Sequence, residues 1–156
     1  MVNSLALILV SFLASLGFAI VFRITGKDLI PAALGGALTR VVLIVFSAIL
    51  PERFVYVLIS ALFASFYGEV LASITRDPST FFIYPSIIPL IPGDLFYYTL
   101  QAAIRGDGAL FARNGLDCLL TLLAMSVGFV VSSAVMHYIR RHLFRRKVRS
   151  ASGAGK

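Results

Sequence analysis

The sequence predicts an all-α integral membrane protein with about five transmembrane helices, the fourth broken at a Pro/Gly-rich segment. Three observations predict it. Of 156 residues, 59% are hydrophobic and only 13% charged, whereas soluble domains are about half apolar and a quarter charged. The apolar residues fall in runs long enough to cross a hydrocarbon core about 30 Å thick, which needs roughly 20 residues per helix. The fourth run carries YPSIIPLIPGD, residues 84–94, with prolines at 85, 89 and 92.

The first run, 2–22, has no charge before Arg23. It lacks the basic start of a secretory signal and reads as a retained span. The second, 30–50, opens with Pro31 near the first helical turn, where proline is tolerated, and carries one charge, Arg40. The third, 54–74, follows Pro51 and carries Glu69. The fourth, 79–104, follows Asp77-Pro78, which reads as an N-cap with proline at the first position. The fifth is 116–139, after a connection at 105–115. Residues 1–139 thus form a transmembrane domain and 140–156 a basic tail.

Seven of the fourteen Lys and Arg lie in that tail. With five crossings, Arg23, Lys27, Arg76 and the tail put ten basic residues on one side, against Arg53, Arg105 and Arg113 on the other. The bias places the tail in the cytoplasm and the N-terminus outside. If the fourth run does not cross fully, both ends share a side. The net charge of +7 is therefore topological, and no nucleic-acid-reading surface accompanies it. The single Cys118 reads as a small buried residue. His137 and His142 have no companion ligands, so no metal or other cofactor is expected.

Small residues recur at four-residue steps: Ser11, Ser15 and Ala19; Ala32 with Gly36 and Ala33 with Ala37; Ser60, Ala64, Gly68 and Ala72; Ala124, Gly128 and Ser132. Such stripes let helix backbones approach closely in lipid. Glu69 and Arg40 are charges at membrane depth, costing about 2–3 kcal/mol even on the lenient insertion scale. Each should face protein or a wet cavity, as a structural ion pair or as a site for protons or substrate.

A helix through YPSIIPLIPGD would lose a backbone donor at each proline, and each ring would clash with the carbonyl four residues back. The predicted break lies between Pro85 and Asp94. Non-helical backbone at membrane depth survives only when buried in protein or lining a cavity. Discontinuous helices of this kind aim half-helix N-termini at anionic solute groups. Candidate solute-binding residues are Pro89, Pro92, Gly93 and Asp94, with Tyr97, Tyr98 and Gln101 on the half-helix that follows. Gly93 is expected to serve close approach or a positive φ. Asp94 caps the half-helix, binds a solute amine or carries a proton.

GFAIVF in the first run, the Pro and Gly pairs of the second, and IIPLIPGDLFYYTLQAAIRGD resemble the threonine/serine exporter family. The match is to its small-subunit form, the ThrE-like C-terminal domain that also occurs as a separate short chain. It covers most of residues 15–135, with Pro89, Pro92, Gly93 and Tyr97 or Tyr98 at its specific core. The resemblance implies export of small amino acids or dicarboxylates together with a larger membrane subunit, or self-assembly into a homo-oligomer. Asp94 is read from its own position rather than from the resemblance.

Two rival functions are weighed. As an assembly subunit, the chain would use its small stripes and tail to dock a partner and never touch solute. As an intramembrane aspartyl hydrolase, Asp94 in PGD would need a second acid to share a proton, and Asp117 or Glu69 are the candidates.

Overall fold

The structure, a computed structural model, describes residues 4–153, with side chains through residue 139. The basic side chains of the tail at 140–156 lie outside the described residues. Among the described residues the chain is helical: α1 Ser4–Val21, α2 Leu29–Ile49, α3 Arg53–Thr75, α4 Thr80–Ile87, α5 Gly93–Ile104 and α6 Gly108–Gly153. A 3-10 turn, Ile88–Leu90, follows α4. Among the described residues four helices are long and apolar enough to cross a membrane, and α4 with its turn plus α5, bent by 51° at the break, add a fifth if the pair is one span.

The small stripes make the contacts between helices. Every predicted stripe residue is buried except Ala37, which is half-buried. Gly36 of α2 lies against Ser15 of α1, Gly35 against Ser86 of α4 and Tyr67 of α3, and Gly68 of α3 against Ile83 of α4. Gly128 of α6 faces Ala61 of α3, where a Cβ would sit 2.8 Å from the alanine methyl. α2 is the hub, packing on α1, α3 and α4, while α5 packs chiefly on α6. One core cluster joins Val57, Ala61 and Ala64 to Leu90 of the turn and Ala124 and Met125 of α6.

Helix ends differ from the sequence expectation in two places. α4 starts at Thr80 rather than just after Asp77, because the Pro78 carbonyl closes a turn with the Phe81 N–H at 3.0 Å. Asp77 instead lies 4.0 Å from Lys27. α6 starts at Gly108 rather than 116. Gly106, at φ +72°, ends α5, and the Asp107 carboxylate accepts from the Leu110 N–H at 3.0 Å as an N-cap.

The break is also narrower than predicted. Pro85 lies inside α4, so only the segment after Ile87 departs from α-helix. The bonds lost at Pro89 and Pro92 have replacements. Pro89 has no N–H for the Pro85 carbonyl, and the Ser15 hydroxyl donates to that carbonyl at 2.8 Å. Pro92 has none for the Ile88 carbonyl, which accepts from the Ile91 N–H at 3.3 Å. The chain then turns with the Gly93 N–H on the Ile91 carbonyl at 2.8 Å.

Candidate functional site

The first helical bond of α5 runs from the Phe96 N–H to the Pro92 carbonyl, at 3.0 Å. The N–H groups of Asp94 and Leu95 precede it, at the positive end of the half-helix dipole. Here the helices part around a cavity of about 530 Å³, within the range of small-molecule sites. α1 contributes Leu7, α2 Arg40, Leu43, Ile44 and Ser47, α3 Arg53, Tyr56 and Val57, and α6 Thr121. Residues 89–94 close the remaining wall.

Among the described residues three charges line it. Arg40, half-buried near the middle of α2, donates from Nε to the Ser11 hydroxyl at 2.9 Å. Arg53, at the start of α3, lies 3.9 Å from Asp94, with the two side chains 42% and 64% exposed. A pair this long and this open to solvent contributes at most about 1 kcal/mol. The Nε atom of Arg53 is buried with no hydrogen-bond partner. Two guanidinium groups against one carboxylate leave the cavity with net positive charge, apt for a carboxylate, which arginine can hold with two parallel hydrogen bonds.

The geometry brings together Pro89, Pro92, Gly93, Asp94 and Arg40. It leaves Tyr97, Tyr98 and Gln101 off the cavity wall. They begin one turn beyond the break, on a helix that bends away by 51°. Tyr97 and Tyr98 are 60% and 53% exposed and meet edge to face at 5.4 Å. Glu69 is half-buried on α3, next to Gly68 and hence level with Ile83 of α4, and it is not on the cavity wall either. Arg40 is hydrogen-bonded to Ser11, not placed against Glu69. Asp94 is the one acid among the residues lining the cavity.

Of the two reasons expected for Gly93, the positive φ is not found. A Cβ there would meet nothing within 4 Å, and Gly93 lies on the cavity wall. Arg53 was missed because it stands at the end of an apolar run, where a basic residue reads as an orientation signal. Its neighbour in space is 41 positions away in the chain, and no local pattern points to it.

Residues 7–135 match the family described as threonine/serine exporter, ThrE. The chain belongs to this family. The match takes in most of α1, all of α2 to α5 and most of the membrane part of α6, and so every described residue of the cavity. A threonine/serine exporter is a membrane transporter, and the apolar helices here make it a multi-pass one. Comparison with curated proteins and with solved structures gives no match.

Proposed function

We propose that this chain is the small membrane subunit of a secondary exporter of carboxylate-bearing solutes, threonine/serine-type amino acids or dicarboxylates. The cavity at the broken fourth span is its solute site. One observation carries this: the break, the start of α5 and Arg40 converge on a single cavity, although they come from distant parts of the chain. An arginine at this depth is expensive in lipid, and a positively charged pocket for an anion gives it a use. Pro89 and Pro92 keep the backbone out of helix there, and Gly93 leaves the approach open.

Tyr97, Tyr98 and Gln101 meet the solute on its way along α5, or meet the larger exporter subunit with which the chain works. A homo-oligomer is the other assembly. Glu69 serves proton or ion coupling away from the cavity. The bias of ten basic residues against three supports an N-terminus outside and a C-terminus in the cytoplasm, and the exporter reading goes with a prokaryotic inner membrane.

The test is efflux from cells or liposomes, with the partner subunit present, at matched membrane levels. Arg40→Gln abolishes efflux if the cavity binds solute. Efflux equal to wild type overturns the site. An assembly role without solute contact is favoured by one observation, the exposed aromatic face of α5. On that reading Tyr97→Ala and Tyr98→Ala release the partner, while Arg40→Gln changes nothing.

A further inference from the structure

Arg53 is poorly satisfied where it stands. Its Nε is buried and has no acceptor. Among the described residues its ionic neighbour is Asp94, 3.9 Å away, about 1 Å longer than a charge-assisted hydrogen bond. Both groups lie on the wall of the cavity, Arg53 from the start of α3 and Asp94 from the first turn of α5. Arg40 is on the same wall, with its Nε already committed to Ser11 at 2.9 Å.

We infer that Arg53 is the second carboxylate ligand of this cavity, and that Asp94 is the residue that selects solutes carrying an ammonium group. In the structure Asp94 is the loose counter-ion of Arg53. An arriving carboxylate offers Arg53 a bidentate partner and releases Asp94. The freed Asp94 then lies beside the bound solute with no direct contact partner, and a solute ammonium supplies one. A zwitterionic amino acid therefore satisfies all three charges at once. A hydroxy acid of the same shape leaves Asp94 unpaired, and a dicarboxylate sets a second negative charge against it.

This rests on the cavity being the solute site, and the probes separate the two. Binding of L-threonine, 3-hydroxybutyrate (the same skeleton without the amine) and malonate is measured on the full chain in lipid nanodiscs with its partner subunit, if one co-purifies. Wild type should favour L-threonine over 3-hydroxybutyrate by roughly tenfold to a hundredfold, the value of one charge-assisted contact. Asp94→Asn should erase that preference and strengthen malonate, while Asp94→Glu should keep the preference. Arg53→Gln should weaken all three probes, and Arg53→Lys should restore part of the loss. Asp94 is well exposed, so its variants fold. If Arg40→Gln removes L-threonine binding but Asp94→Asn leaves the threonine-to-hydroxybutyrate ratio unchanged, the role of Asp94 is overturned and the site stands. If Arg53→Gln binds every probe as wild type does, the role of Arg53 is overturned. If Arg40→Gln and Arg53→Gln both leave every probe unaffected, the cavity itself is not the site.

Discussion

The Ser15 hydroxyl on α1 donates to the Pro85 carbonyl in α4 at 2.8 Å, and both residues are buried. The two are 70 positions apart, and Pro89 explains why they meet. Its ring nitrogen has no proton for the carbonyl four residues back, and that carbonyl is buried. A serine from the neighbouring helix donates to it, while Gly36 leaves room for that serine at the α1–α2 contact. The break is thus fastened to the bundle before it forms a cavity on its other side.

Ser15→Ala should leave the Pro85 carbonyl without a partner at unchanged packing. The expected loss is about 1 kcal/mol, as interhelical hydrogen bonds in membranes are of this size. Unfolding in micelles, compared with Ser4→Ala at an exposed position of α1, measures it. A stability equal to wild type would mean that the carbonyl finds another donor.

Substitutions at glycine should divide into two groups. At Gly36 a Cβ would run into Ser15 and reach 3.2 Å from the Pro85 carbonyl, and at Gly128 it would be 3.1 Å from the Leu58 carbonyl. Backbone cannot yield as a side chain can, so Gly36→Val and Gly128→Val should lower the yield of folded protein. Gly93→Val has open space within 4 Å, and should insert and fold normally yet lose transport, because the side chain fills the solute space. Fluorescence size exclusion reports folding and efflux reports transport. Misfolded Gly93→Val, or fully active Gly93→Val, would each contradict this.

Much of this was legible in the sequence because the signals are local. Apolar runs set the helices, and the stripe Ser60, Ala64, Gly68 and Ala72 named the buried face of α3. Pro89, Pro92 and Gly93 located the break. What was not legible depends on partners far away in the chain. Pro85 stays helical because tertiary contacts hold α4 between α1, α2 and α3. Arg53 joins Asp94 only because the break delivers α5 to the start of α3. Asp107 was legible in principle, since Gly106-Asp107 is a helix stop followed by a cap, but an apolar-run reading passes over short polar helix starts.

The two ends of the chain should report opposite sides of the membrane. α6 runs in the same direction as α3: Ala124 and Met125 join Val57 and Ala61 in one cluster, and Val131 and Val135 line a groove with Leu62 and Phe66. α4 runs against α3, with Ile83 at Gly68 and Leu90 near Val57. The segment between α3 and α6 must therefore carry the chain back across. Reporter fusions at residue 2 and at Lys156 should give opposite signals, with the C-terminus cytoplasmic. The same signal at both ends would show that α4 and α5 re-enter without crossing.

Cysteine accessibility tests whether the break faces a solute path. Ile91 is 53% exposed and Gly93 is open, and both line the cavity. Ile104 is 88% exposed at the far end of α5 and is not on the cavity wall. The native Cys118 is buried and is replaced by Ala to clear the background. Ile91→Cys and Gly93→Cys should react with small polar thiol reagents, because a cavity lined by Arg40, Arg53 and Asp94 holds water. Saturating L-threonine should slow both, and should leave Ile104→Cys unchanged. The thiolate is the reacting form, and nearby guanidinium groups favour it, so labelling in the cavity should fall when Arg53 is changed to Gln. Free reaction with bulky impermeant reagents from one side, with no protection by solute, would instead make residues 89–94 an external loop.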